Sequence, residues 1–280
     1  MLVKNSTKKN KRIPSYMGGR MPLSTEMASV LRDKLYEYDQ VVPALQDEEL
    51  RRLSPLLDLQ KELSVLPSEE VFLIEYFQSK EGYHLLMFPF EGRFVHEGMG
   101  ALIAQRLARQ FPISFSIGMN DHGFELLSDQ RIDLSRYITP ELFSPEDIAT
   151  DIQASINAAE LARRRFRDVA RISGLIFQGF PGKAKKDRHL QASSSLLFEV
   201  FKDYEPDNLL YLQTFEEVMT FQLEEARMIR ALNRIRSQRL VIQYPERPSP
   251  LAFPIMVDRL RERMTSESLE SRIAKMKVGL

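Results

Sequence analysis

Two groups of side chains in this 280-residue chain have the types and spacing to do chemistry. The first is basic. Within "ARRRFRDVAR", a helical wheel places Arg163, Arg164, Arg167 and Arg171 on one flank beside the apolar row of Phe166, a band suited to tracking a phosphate backbone. Glu160 falls inside that band, within reach of Arg163 and Arg164, so an ordinary salt-bridged helix face is a competing reading of nearly equal weight. Shortly after come Lys183, Lys185, Lys186, Arg188 and His189, in a glycine-, lysine- and serine-rich stretch read as an exposed loop. The serines that end this loop are able to cap the helix "LLFEVFKDY", whose free N–H groups face any anion beyond it. Each phosphate neutralised by such a surface adds about one to the salt slope of binding.

The second group, in "FEGRFVHEG", is Glu91, Arg93, His96 and Glu97. Carboxylates beside an imidazole have the types for acid–base work. Glu97 also satisfies the field at a helix start, and Glu91 with Arg93 ties a strand exit to its neighbours, so structure outweighs catalysis here. "NDHG" reads as a turn, because Asn, Asp and Gly tolerate positive φ. No G-x-x-x-x-G-K-[ST] loop, DExH box or G-x-G-x-x-G turn occurs anywhere. "GFPGKAKK" has the wrong spacing for a phosphate loop and no Ser or Thr after its lysine to hold magnesium. The absence of cysteine removes disulfides, thiolate catalysis and cysteine-ligated metals. His84, His96, His122 and His189 never fall three or four apart, which speaks against a zinc enzyme.

Such groups must be positioned by elements that the hydrophobic pattern predicts. Ser24 caps a helix carrying Met27, Val30, Leu31 and Leu35, and a second helical stretch runs from Asp47, is restarted at Ser54-Pro55, and reaches Leu66 as a bent pair. "EEVFLIEYFQ" and "YHLLMFPF" form a hairpin with two apolar faces, covered by helices or closed into a barrel. A helix from Val95 precedes a second hairpin, "PISFSIGM" with "FELL". One long amphipathic helix is expected from Ser144 to about Phe177, and another from Leu209 to Ser237. "RLVIQY" and "LAFPIMV" look like strands and "SESLESRIAKM" like a closing helix. Hairpins mixed with helices, without βαβ alternation, predict an α+β fold: a small barrel-like or mixed sheet flanked by long amphipathic helices.

Lysine plus arginine balance aspartate plus glutamate at 39 each, so bulk charge neither attracts nor repels nucleic acid. The basic residues Lys4, Lys8, Lys9, Lys11, Arg12 and Arg20 meet no acid in the first 20 positions. Residues 1–16 are expected to be a basic, disordered leader and 17–280 a folded module, with sub-parts 17–143 and 144–280. The leader has no apolar core of a secretory signal, and no apolar run approaches a membrane span, so a cytoplasmic protein without a membrane partner is expected.

"GGRMPLSTEMA", "FPFEGRFVHEGMGALIAQRLAR", "NDHGFELLS", "NAAELARRRFRDVARISGLIFQGFPG" and "RPSPLAFPIMVDRLRERMTSESLESRIAKM" resemble, in order, the carboxy-terminal region of Lhr-type (large helicase-related) DExH-box helicases, above all the ligase-associated branch. The resemblance runs from about Met17 to Met276. It implies a barrel-containing, helix-flanked module that helps hold a single strand in an ATP-dependent DNA helicase, with ATP and magnesium bound only by motor domains that this sequence does not contain. No cofactor is expected in the chain itself, and it is expected to be non-catalytic alone. The implied partners are single-stranded DNA or an RNA:DNA hybrid. Two alternatives stand beside this reading: a subunit active only with a separate ATPase chain, and a scaffold for DNA ligase or nuclease repair partners. Some members of the family stack a tryptophan on a base; this chain has none, leaving Tyr16, Tyr83 and Phe180 as substitutes.

Overall fold

The computed structural model of the chain describes residues 21–40, 47–177, 179–180, 183–184 and 187–262. The basic leader, Tyr16, Lys185, Lys186 and the expected closing helix lie outside these residues. In chain order the elements are α1 (Thr25–Gln40), α2 (Glu48–Leu63), β1 (Val71–Ser79), β2 (Gly82–Met87), α3 (Arg93–Gln110), β3 (Ser116–Met119), β4 (Phe124–Ser128), α4 (Leu134–Tyr137), α5 (Ile148–Gln153) and α6 (Ile156–Ile172). They continue with β5 (Gly179–Phe180), β6 (Lys183–Ala184), α7 (Asp187–Tyr204), α8 (Leu209–Glu217), α9 (Glu225–Ser237), β7 (Arg239–Gln243) and α10 (Ala252–Glu262).

The α+β class holds, with a mixed sheet. Five strands lie in the order β3-β4-β2-β1-β7; β7 joins β1 in parallel and every other pairing is antiparallel. The sheet stays open, so the barrel is not formed. The doubly apolar strands have the other explanation that the sequence allowed, since helices cover both faces. One face of β1 carries Phe72, Ile74 and Tyr76 into a core with Val95, Met99 and Leu102 of α3, Phe166 of α6, Phe198 of α7 and Met228 and Leu232 of α9. The opposite face carries Leu73 and Phe77 against Leu35 and Tyr38 of α1, Leu57 of α2, and Ile255 and Met256 of α10. Gly82, at φ 135°, closes the first hairpin where an added Cβ would stand 2.3 Å from the Ser128 carbonyl oxygen, so glycine is required there.

Several expected boundaries move, each for a local reason. α2 is one helix with Pro55 inside it. Proline leaves the Arg51 carbonyl without its helical donor, and the Ser54 hydroxyl donates to that oxygen instead at 2.9 Å. In α1 the expected inner row is half realised: Leu35 is buried and Leu31 packs beside it, but Met27 and Val30 are exposed, while Ala28 and the charged Arg32 turn inward. The helix predicted from Ser144 starts only at Ile148, after a segment that Arg106 holds as a loop by gathering the carbonyls of Leu142, Ser144 and Glu146, and it is interrupted between α5 and α6 at Ala154 and Ser155. The predicted helix from Leu209 widens at Val218–Gln222 into a π-helical turn and restarts after Glu224, at φ 46°, so that Leu223 seats beside Gly98. The strand expected from Pro112 is confined to Ser116–Met119. "LAFPIMV" is the start of helix α10, not a strand.

Candidate nucleic-acid interface

α6 and α7 run antiparallel and are tied by Arg167, whose Nη1 donates to the Gln191 side chain at 3.1 Å, and by Arg163, which reaches Glu199 at 3.9 Å. The flank predicted for phosphate therefore meets the first turns of α7, where Arg188 and His189 are both exposed. Its arginines are not equivalent. Arg163 and Arg164 both bond Glu160, as the salt-bridged reading requires. Burial opposes ionisation of Glu160, but these two arginines hold its carboxyl below the usual range. Arg171 stands 4.0 Å from Asp168. Among the described residues Arg167 is held by the Gln191 amide alone, and its buried Nε meets no partner there.

The serine cap is not realised. α7 starts at Asp187, and Ser193, Ser194 and Ser195 lie inside it; Ser194 is buried and donates back to the Gln191 carbonyl at 2.9 Å. The helix forms early because Leu190, Phe198 and Phe201 recur on the face packed against Phe166, and that packing outweighs the turn preference of serine. Lys183 falls in the short β5–β6 ribbon, not in a loop, and Phe180 is in the same ribbon.

The second group is a structural hub. Glu91, 5% exposed, accepts hydrogen bonds from Arg32 of α1 at 2.8 Å and from Arg227 and Arg234 of α9 at 3.1 and 3.0 Å. His96 is fully buried: the Glu91 backbone N–H donates to its Nε2, and its Nδ1 bonds the Asn120 carbonyl oxygen at 2.6 Å. Burial pushes its pKa down to about 3, so it is a neutral brace and not a proton shuttle. Asp121 accepts from the Leu23 and Arg93 N–H groups, so "NDHG" is a turn that also anchors the start of α1. The sequence missed Arg32, Arg227 and Arg234, whose distance along the chain from Glu91 gives no local signal.

A second buried set joins α10 to the sheet. Glu125 of β4 bonds both His84 and Arg259. Burial opposes the Glu125 charge, yet the two partners bring its carboxyl below the ordinary range. Tyr83 is half-buried, with its ring stacked on Tyr76. Among the described residues no cluster of His, Cys, Asp or Glu has the form of a metal site, and no helix is long and apolar enough to cross a membrane.

Comparisons with known proteins agree with the resemblance read from the sequence. A family model described as DEAD/H associated matches residues 66–252. The ATP-dependent helicase Lhr-Core of Methanocaldococcus jannaschii is 23% identical over 273 residues, which is 94% of this chain and 32% of that protein. ATP-dependent helicase Lhr-Core protein 2 of Thermococcus barophilus is 25% identical over 204 residues, covering 71% of this chain and 23% of its own length. The structure of Mycobacterium smegmatis helicase Lhr bound to ssDNA and AMP-PNP matches 88% of this chain and 33% of its own, with a TM-score of 0.69 and 21% identity, a likeness of fold. The chain thus spans about a third or less of the length of these relatives.

Proposed function

This chain belongs to the DEAD/H associated family, and on that premise we propose that it is a cytoplasmic, nucleic-acid-binding accessory module of an Lhr-type ATP-dependent DNA helicase in DNA repair, inactive as a motor alone. The observation that supports this most is the seam between α6 and α7. There Arg167 is held by Gln191 without a carboxylate among the described residues, and Arg188 and His189 stand exposed on the facing end of α7. A cation that is positioned but not neutralised retains its pull on a phosphate, whereas Arg163 and Arg164 must first leave Glu160. In this reading single-stranded DNA, or one strand of an RNA:DNA hybrid, lies along the seam, with Arg163, Arg164, Arg171, Lys183, Lys185 and Lys186 as its margins.

ATP does not fit the residues at hand. "GFPGKAKK" has neither the spacing of a phosphate loop nor a Ser or Thr after its lysine, and its described residues Gly179–Phe180 and Lys183–Ala184 form the β5–β6 ribbon outside the main sheet. Nucleotide and magnesium chemistry is assigned to the part of the relatives that this chain does not span, carried in the same protein or on a separate ATPase chain.

Salt-titrated fluorescence anisotropy with a labelled single strand tests the reading. Binding is expected to weaken with salt, and the triple variant Arg164→Ala, Arg167→Ala, Arg188→Ala to lower the slope of log K against log salt by about two. No binding in low salt would overturn it. Mixing the chain with a candidate ATPase half and measuring strand-stimulated ATP hydrolysis distinguishes the split-subunit form, which requires stimulation.

One observation favours a second reading. Leu196, Val200 and Tyr204 recur every four residues on the outer side of α7 and are exposed, beside Glu199 and Asp203. An apolar stripe with acidic flanks suits a protein partner, and a DNA ligase or nuclease is the class that the resemblance implies.

A further inference from the structure

Three side chains on the central sheet form a relay that lies outside the α6–α7 seam and outside the hub around Glu91. Strand register puts them on one face: Ser79 follows Phe77 by two residues on β1, Phe77 pairs with His84 on β2, and His84 pairs with Leu127 on β4, two residues after Glu125. The Ser79 Oγ stands 2.6 Å from His84 Nε2, and His84 Nδ1 stands 2.5 Å from a Glu125 carboxylate oxygen. His84 and Glu125 are fully buried, and the imidazole is stacked on the Phe77 ring at 4.8 Å between centroids. Ser79 is half-buried where β1 enters its turn, next to the exposed Lys80. The hydroxyl therefore faces water while the two groups that line up behind it do not.

The direction of the proton follows from charge. His84 and Arg259 hold the Glu125 carboxyl below its ordinary range despite burial, and an ionised carboxylate only accepts. His84 Nδ1 must then carry the hydrogen, Nε2 is the acceptor, and the Ser79 hydroxyl donates to it. The Glu81 N–H donates to the same Oγ at 3.0 Å, which fixes the hydroxyl and leaves one lone pair without a partner among the described residues. A hydroxyl, an imidazole and a buried carboxylate in this order activate a serine as a nucleophile.

We propose that Ser79 is a nucleophile that accepts an acyl group, with His84 as its base and Glu125 as the positioning residue that fixes the imidazole. Oγ attacks the carbonyl carbon of the donor while its proton passes to Nε2. The bond to the leaving group then breaks, and the electron pair departs with that group as its anion. The proton stays on the imidazolium, whose charge Glu125 balances. Because His84 is wholly buried, it has no access to a departing group or to a second water. That sets the substrate class: acyl donors whose leaving group needs no proton, such as aryl esters, thioesters and acyl phosphates. It also makes the acyl-serine slow to hydrolyse.

The test mixes the full chain with p-nitrophenyl acetate. A burst of about one equivalent of p-nitrophenolate per chain is expected, followed by slow turnover. Peptide mass spectrometry should locate the acetyl group on Ser79, and hydroxylamine should remove it as an ester. Ser79→Ala is expected to abolish the burst while melting close to the wild type. His84→Gln should slow the burst by about 100-fold or more, and Glu125→Gln, which no longer fixes the tautomer, by about tenfold or more. Thermal melts identify any buried variant that fails to fold, and Ser79→Ala then decides, since its hydroxyl is at the surface. A wild-type chain without a burst, acetyl found only on other residues, or a wild-type burst in Ser79→Ala overturns the proposal. A folded His84→Gln chain that is acylated at the wild-type rate overturns it as well.

Discussion

At the scale of the residue, Glu91 has the most to hold together. Three guanidinium groups converge on one carboxylate that is 5% exposed, and a single acid balances them with help from Glu69 on Arg32 and Glu224 on Arg227. Removing one side of a buried ion pair leaves charge uncompensated, which costs about 3–5 kcal/mol. Glu91→Gln is expected to lose stability of that order in urea denaturation, and a change below 1 kcal/mol would show that the arginines are solvated independently of Glu91. Glu75 poses the opposite problem. It is fully buried on β1, accepts from Gln60 at 3.0 Å and Ser249 at 2.8 Å, and has no cationic partner among the described residues; burial raises its pKa above the ordinary 4.5. A raised folded-state pKa contributes stability fully present below the unfolded value and lost as pH rises through the folded one. Glu75→Gln, which removes that charge, should melt above the wild type at pH 8, with the gain shrinking as pH falls toward 4.5; melts at both pH values check this. Of this chemistry the sequence disclosed only that Glu91 is a tie. Its partners lie 59, 136 and 143 residues away, beyond any local pattern.

At the scale of the element, hydrophobic period identified what packing later kept, and failed where two patterns coincide. Both hairpins and α3 were legible because β-branched and aromatic runs ended at glycine turns. α10 was not, since "LAFPIMV" has strand-like composition. Ser249 decides otherwise: its hydroxyl accepts the Ala252 N–H and its carbonyl the Phe253 N–H, starting a helix with Pro250 at the first position, where no donor is needed. The helix then delivers Arg259 to Glu125 and Glu81 across the sheet. It fits only because β3 has Gly118 beneath it, where an added Cβ would stand 2.6 Å from the Arg259 Cβ. Gly118→Ala is expected to push α10 outward and cost about 1–3 kcal/mol, read as a lowered melting temperature. An unchanged melt would show that the helix gives way freely. The seam between α6 and α7 was half legible: the arginine flank follows from helical period, but the early start of α7 follows from Phe166 packing on Phe198 and Phe201, which no spacing in either segment reveals.

At the scale of the whole molecule, the sheet and the carboxy-terminal helices share their interior. The sequence divides at 143/144, from hairpins to mainly helical character, and that composition is real. The core nevertheless crosses it: Ile148, Ile152, Phe166, Phe215 and Leu232 belong to the same buried cluster as Phe72, Ile74 and Met87. β7 binds the two stretches again, because it comes from the second and pairs in parallel with β1 of the first. Unfolding either stretch alone would expose the apolar face of the other, at about 25 cal/mol for each Å² bared. Urea unfolding is therefore expected to follow one transition, with far-ultraviolet circular dichroism and the fluorescence of Trp introduced as Phe143→Trp tracing superimposable curves. Two separated midpoints would mean that the stretches are independent folding units. In that case a strand held on the α6–α7 seam would stabilise its own half only. With one transition, binding at the seam raises the stability of the sheet as well, by RT ln(1 + [L]/Kd), so the melting temperature of the whole chain should climb with added single strand.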